Sequence, residues 1–266
     1  MKYKVVIVNY KKDKSVISLL RQLEVQELKP VSVFIADNSP DPTLKDTIER
    51  GDWSLSLEIK EYPENVGYSK GCNAGQQGVW DLIVFLNPDI EIQDRSLFLR
   101  LSEELMELGA VGCVGVSQRN PDGSFEAVAR RFPTPLAVIG KRIPILRPLL
   151  RESVRKYMKS YACEFNPDGK PLEVDWLQSS FLAVPRQVWS RQGGFDERYF
   201  VFMADTEYGH RCNRNGLKSY FIPALQVEAD GVRASEGGVL AIFKSKVIRI
   251  HIKDSIRYYL SLLQKK

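Results

Sequence analysis

The residues of this chain that could do chemistry are carboxylates and amides standing at the ends of apolar runs. The stretch "VFLNPDIEI", residues 84–92, stops on Asn87, Pro88 and Asp89 and resumes as Ile90-Glu91-Ile92. Two other runs end in the same manner: "VVIVNY" on Asn9 and Tyr10, and "VFIADNS" on Asp37 and Asn38. An isolated carboxylate at a strand end beside a nucleotide-sized cleft suits a hard divalent cation that bridges two phosphates. Histidine-based nucleophilic catalysis is disfavoured, because the chain holds only His210 and His251 and no Gly-x-Ser-x-Gly elbow. The glycine fingerprints of dinucleotide and P-loop sites are also missing. "GYSKGCNAG" does place glycines at 67, 71 and 75. On a helix that spacing makes one smooth face, for packing on a sheet or for a close-lying ligand.

The elements around these residues alternate. "KVVIV" at 4–8 reads as a strand buried on both faces, and residues 14–28 carry Val16, Leu19, Leu20 and Leu23 at helical spacing. A second strand ends at Asp37, a helix is expected over 41–50, and a weaker strand over 55–61. A glycine-studded turn then leads into a helix before the strand "DLIVFL". This order predicts a parallel sheet covered by helices, with the ligand at the carboxyl ends of the strands. After Asp89 the pattern is mixed: a helix at 95–108, the strand "VGCVGVSQ", a tight turn "NPDG", and a strand leading into a helix within "VDWLQSSFLAVPRQVW". A polar helix "DTEYGHRCNRNG" capped by Gly216 follows, and "SYFIPALQVEA" is the last extended segment. Antiparallel additions at the sheet edge are therefore expected. Residues 130–173, rich in proline and basic side chains, show no clear period and read as a loop, a lid or an acceptor-binding insertion.

Composition narrows the class. The chain has 266 residues, 44% hydrophobic and 27% charged, the balance of a globular protein with a full core. Its four cysteines are far apart with no C-x-x-C pair, so neither a disulfide scaffold nor a structural zinc site is indicated. The opening apolar run is too short for a signal peptide, and no stretch is long and apolar enough to span a membrane. The net charge of +5 is modest and predicts no nucleic-acid partner.

The ordered motifs "VVIVNY", "VFIADNSP", "ENVGYSKGCNAG", "FLNPDIEI", "NPDGS", "RRFPTP", "VDWLQSSFLAVPR", "GGFDERYF" and "MADTEYGHRCNRNG" resemble the family 2 glycosyltransferases of GT-A fold, in their rhamnosyltransferase-like branch. The similarity runs over roughly residues 3–235. It implies an α/β fold with a Rossmann-like mixed central sheet flanked by helices. It also implies an inverting transfer from a nucleotide-diphospho-sugar, a dTDP- or UDP-sugar, with Mg2+ or Mn2+, onto a glycan hydroxyl. Carried over by position, Asn9 and Tyr10 line the nucleotide pocket, Asp37 contacts base or ribose, and Asn65, Gly67 and Asn73 border the nucleotide. Asn87 and Asp89 stand at the D-x-D position, with Asp89 as metal ligand. Asp205 is the catalytic base, Asp175 and Trp176 lie beside sugar and acceptor, and Arg211 has a structural or phosphate-facing role.

The chain departs from the branch at three places. Ala204 replaces the usual glutamate before the base, Ser179 replaces a glycine, and "VEADGVRAS" (227–235) lacks the branch's histidines, so that either Asp230 takes over as the second metal ligand, or metal binding rests on Asp89 and the diphosphate, or the enzyme works without a metal. Two readings stay open: a rhamnose or other sugar transferase serving a bacterial surface polysaccharide or lipid-linked acceptor, and a sugar-nucleotide-binding module with weakened turnover. The expected organisation is one domain over 1–238, with a nucleotide-binding half (1–94) and an acceptor half (95–238), followed by a basic amphipathic helix over 239–266. That helix either lies on an anionic membrane surface or packs on the domain. A cytoplasmic chain, peripheral on the inner face of the membrane, is the expected setting.

Overall fold

In the computed structural model, which describes residues 1–39, 43–142, 146, 148–161, 166–230 and 246–264, the first half follows the alternation. Strand β1 (Tyr3–Asn9), helix α1 (Asp13–Glu24), β2 (Ser32–Asp37), α2 (Thr43–Arg50), β3 (Leu57–Glu61), α3 (Tyr68–Ala74) and β4 (Leu82–Leu86) succeed one another. β1 pairs in parallel with β2 on one side and β4 on the other, and β2 with β3. Val16, Leu19, Leu20 and Leu23 are the buried face of α1, as their helical spacing requires. All five residues of β4 are buried, and alternate ones serve opposite cores: Val84 and Leu86 face one cluster, Ile83 and Phe85 the other. Phe85 lies 4.8 Å from the Trp189 ring and 5.2 Å from Phe195. Side chains so buried contribute about 1.5–3 kcal/mol each.

The second half reverses direction. β5 (Ile90–Glu91) and α4 (Leu97–Glu107) precede β6 (Val111–Arg119), and β7 (Ala129–Arg130) opens residues 130–173. β8 (Leu172–Val174), β9 (Trp176–Leu177), β10 (Phe181–Pro185), α7 (Arg186–Gln192), α8 (Ala204–Arg214) and β11 (Lys218–Ala229) follow. β10 inserts antiparallel against β4 and touches β6, while β6 and β11 run parallel. The resulting sheet has nine described strands in the order β3-β2-β1-β4-β10-β6-β11-β5, with β8 on β11. β5 does not prolong β4. It turns away at Asn87 and pairs with the end of β11, Ala229 opposite Ile90.

Residues 130–173 correct the expectation of an aperiodic loop. They contain α5 (Pro135–Arg142) and α6 (Arg151–Tyr161), packed on one another. The crossing is made at Gly140, where an added Cβ would stand 2.6 Å from Val154 and 2.9 Å from Leu150. A glycine contact leaves no apolar mark in the sequence, so the period was hidden.

The last helix, α9, is described over Lys246–Gln264; the expected residues 239–245 lie outside the described ones. It packs on the domain, with Asp254, Ser255, Tyr258 and Ser261 buried, and it exposes Ile256, Leu260 and Leu263. Among the described residues, no helix is long and apolar enough to cross a membrane.

Candidate functional site at the carboxyl edge of the sheet

Parallel strands bring their carboxyl ends to one edge, which is why Asn9 lies opposite Asp37 in the β1–β2 register. Both are fully buried. The Asn9 amide Nδ2 donates to Asp13 Oδ1 (2.7 Å), Asp37 Oδ1 (3.0 Å) and Ser39 Oγ (3.2 Å). Asp37 Oδ1 also accepts the Ser39 N–H at 2.9 Å, but its Oδ2 has no hydrogen-bond partner among the described residues. Burial raises the Asp37 carboxyl above its ordinary value, against hydrogen bonds from Ser39 and Asn9 that favour the anion. A buried carboxylate oxygen without a donor is costly and marks a place for one.

Asp89, just past β4, and Asp230, just past β11, come from opposite ends of the sequence and meet on one cation. The Lys12 ammonium donates to Asp89 Oδ2 at 2.8 Å and to Asp230 Oδ2 at 3.0 Å. Burial works against the charge on Lys12, and the two carboxylates more than offset it, so its pKa is raised. Two carboxylates gathered around one positive centre are hard oxygen donors of the kind Mg2+ or Mn2+ takes. Among the described residues no three acidic, histidine or cysteine side chains group for a metal. The pair therefore fits a cation whose remaining oxygens come from elsewhere, a diphosphate included. Sequence reasoning overlooked Lys12; the signal was a basic residue three positions after a strand-end amide.

Asp205 stands in the first turn of α8. Its Oδ2 accepts the Ser179 N–H at 3.2 Å and its Oδ1 the Thr206 N–H at 2.8 Å. Burial pushes its carboxyl up, opposed by the Thr206 N–H, the Arg130 charge and the Ser179 N–H. Ser179 ties Asp205 to the edge: its carbonyl accepts the Tyr68 hydroxyl at 2.8 Å, and the carbonyl of Ser180 beside it accepts the Asn87 N–H at 2.8 Å. Ser180 is further fixed by Gln118 at 2.7 Å. Ser179 was noted in the sequence only as a departure, although it is the residue that holds the carboxylate.

The remaining candidates support rather than line this edge. Asn65 Oδ1 accepts the Gly67 N–H at 2.9 Å, and Gly67 has φ +92° with Phe200 so near that a Cβ would meet its carbonyl oxygen at 2.6 Å. Gly71 and Gly75 press on Val8 and Val6, so that part of the glycine face serves sheet packing. Asn73 clamps the backbone of Phe195 in both directions, at 2.8 and 2.9 Å. Asp175 pairs with Arg131 and accepts the Phe132 N–H, and the Trp176 indole donates to the Arg131 carbonyl. Both lie against α8 at Gly209, where a Cβ would stand 2.6 Å from Trp176 Cβ. Arg211 pairs with Glu207 at 2.8 Å and donates to the carbonyls of Gln192 and Gly194. Tyr10 is half exposed beneath the Lys11 ammonium. The described cysteines, Cys72, Cys113 and Cys212, are free and buried; Cys163 lies outside the described residues.

A mixed sheet with amides and carboxylates along the carboxyl edge is the architecture of GT-A glycosyltransferases, and solved structures bear this out. A mannosyltransferase from Pyrobaculum calidifontis, solved with GDP-Man and Mn2+, superposes with a TM-score of 0.59 at 16% identity over 96% of this chain and 64% of its own. Residues 1–349 of TarS from S. aureus, solved with UDP-GlcNAc, give a TM-score of 0.58 at 15% identity over 88% of this chain. This chain spans 60% of that fragment. No family model matches the chain. A curated relative does: the N-acetylglucosaminyl-diphospho-decaprenol L-rhamnosyltransferase of Mycobacterium tuberculosis is 30% identical over 237 residues, 84% of this chain and 74% of the relative. The chain belongs to the rhamnosyltransferase-like family 2 glycosyltransferases, and it is a glycosyltransferase.

Proposed function

We propose that the chain moves a sugar, rhamnose in the reading favoured by its M. tuberculosis relative, from a nucleotide-diphospho-sugar to a hydroxyl of a lipid-linked or polysaccharide acceptor with inversion. The observation that carries this reading is the bond from the Ser179 N–H to Asp205, which sets a half-buried carboxylate, its pKa raised by desolvation, against the edge bearing Asn9, Asp37 and Asp89. Asp205 is the base: it accepts the acceptor hydroxyl's proton as that oxygen forms its bond to the anomeric carbon and the nucleoside diphosphate leaves. A pKa moved toward neutrality makes a carboxylate a better proton acceptor at working pH. The unpartnered Asp37 Oδ2 suits an N–H or O–H of the base or ribose. Asp89 and Asp230 would hold a divalent cation there, the donor's diphosphate supplying further oxygens. Once bound, that cation offsets charge on the leaving diphosphate. Asn65, Gly67 and Asn73 shape the nucleotide wall from behind, and Asp175, Trp176 and Arg211 hold α8.

In this reading residues 1–94 bind the nucleotide, 95–238 carry the base and the acceptor wall, and the tail helix packs against that second half. The exposed face of α9 carries Arg249 and Lys253 followed by Ile256, Leu260 and Leu263. Basic and apolar groups on one helical face suit an anionic membrane surface on the cytoplasmic side, where a lipid-linked acceptor would be met.

The test is a thermal-shift screen of dTDP- and UDP-sugars with and without Mn2+, followed by transfer to a polyprenyl-diphosphate-linked sugar. A ligand that binds the native state raises the midpoint by mass action. One donor class should stand out, more so with Mn2+, and yield glycosylated lipid with inverted configuration. No shift with any nucleotide sugar would overturn the reading. A shift without transfer or donor hydrolysis would favour the binding-module alternative, which Ala204 supports.

A further inference from the structure

The helix that ends the described chain reaches into the machinery of α8 through one buried carboxylate. Asp254, on α9, is 1% exposed, and its Oδ2 accepts three consecutive backbone N–H groups, from Phe200 (3.2 Å), Val201 (3.2 Å) and Phe202 (3.1 Å). Successive N–H groups converging on one point form an anion-binding nest. Here the anion is supplied by the protein itself. The next residue, Met203, has φ +67°, a left-handed conformation that a non-glycine residue adopts only when its surroundings impose it, and it is the N-cap of α8. Asp205 follows two positions on.

The same short segment also touches the nucleotide side. The Phe200 carbonyl accepts the Tyr68 N–H at 2.6 Å, and the Tyr199 carbonyl accepts the Ser69 hydroxyl at 2.6 Å. The Tyr199 hydroxyl in turn meets Ser261 of α9 at 3.4 Å. Residues 199–203 are thus a segment held from three sides: by α3, by α8 and by α9.

We infer that Asp254 is a positioning residue for the transferase site, which fixes the 200–202 backbone and the strained Met203 so that α8 delivers Asp205 to the sheet edge. Without that carboxylate, three converging N–H groups would lose their acceptor, and the left-handed turn would be held only by the contacts to α3 and α8. The tail helix is then part of the working site as well as a surface element. The kinetic side of the inference rests on Asp205 being the base; the structural side does not.

The test uses the full chain as wild type, Asp254→Asn and Asp254→Ala. Hydrogen exchange should be about tenfold faster or more at the 200–202 amides in Asp254→Ala, with β4 amides unchanged and Asp254→Asn intermediate, because an amide oxygen still accepts. With the donor found above, Asp254→Ala should lower kcat about 10- to 100-fold while donor KM moves less than about threefold. Combined with Asp205→Asn, it should cost little beyond Asp205→Asn alone, as coupled residues do. Unchanged exchange at 200–202 would overturn the inference. So would loosening of β4 in equal measure, which would mean Asp254 only upholds the fold, or a fully additive loss in the double variant. Failure of the transferase reading would appear separately, as a wild type that turns over no nucleotide sugar while the exchange result still decides the role of Asp254.

Discussion

Residues 3–86 and residues 111–230 build one sheet from different materials. In the first, four parallel strands and short connections place Asn9 and Asp37 by register alone, each the last residue of its strand. In the second, β10 enters antiparallel, β6 and β11 pair across a long span of sequence, and a strained Met203 starts the helix that carries Asp205, the proposed base. The proposed nucleotide-binding edge thus comes from strand ends that regular pairing supplies. Burial raises the carboxyls of Asp37 in the first half and Asp205 in the second alike, but Asp205, the proposed base, is aimed by the N–H groups of Thr206 and of Ser179, which lies outside the regular strands.

The comparison can be broken at four points. The largest effect is expected from Asp205→Asn, in which kcat should fall about 10²- to 10⁴-fold while donor affinity, a property of the first half, stays within a factor of about two to three. Near-normal transfer would move the base elsewhere. Asp89→Ala should act on the other side of the divide, weakening donor binding in Mn2+ by about 10- to 100-fold in calorimetry. Equal affinity with and without Mn2+ in the wild type would refute the metal assignment.

Gly67 is where the halves meet, since its Cβ would strike Phe200 and its φ is +92°. Gly67→Ala should cost about 1–3 kcal/mol in urea unfolding, with donor affinity and kcat reduced together. The smallest effect is the stability of Asp205→Asn. A carboxyl whose folded pKa is raised contributes stability below its unfolded value near 3.8 and loses it as pH rises through the folded value. At pH 7 the partly desolvated anion is a net cost, so the asparagine variant should melt slightly higher. That advantage should shrink toward pH 4; a difference between the variants that is the same at pH 4 and pH 7 would contradict a raised Asp205 pKa.

Much of the first half was legible, because buried parallel strands write themselves as β-branched runs and α1 as a 3.6-residue stripe. The site was legible where chemistry coincides with punctuation, at Asn9, Asp37, Asn87 and Asp89. It was not legible where partners come from distant sequence. Lys12 between Asp89 and Asp230, and Ser179 under Asp205, are ordinary residues until the fold brings them there. The hairpin of α5 and α6 stayed hidden because its crossing is a glycine contact. Arg211 and Asn73, nominated beside the nucleotide, are engaged with backbone carbonyls and N–H groups of neighbouring loops, a use no motif distinguishes.

By itself the sequence determined the alternation of strands and helices in the first half, its parallel sheet, and which polar residues end its strands at one edge. These follow from local periodicity and residue type, which the chain carries at every position. Only the tertiary structure decided which carboxylate is buried, which pair shares a cation, and that the last helix reaches back to hold the segment before Asp205. Burial, charge pairing and a converging set of N–H groups are properties of long-range contacts, and those exist only once the chain has closed on itself.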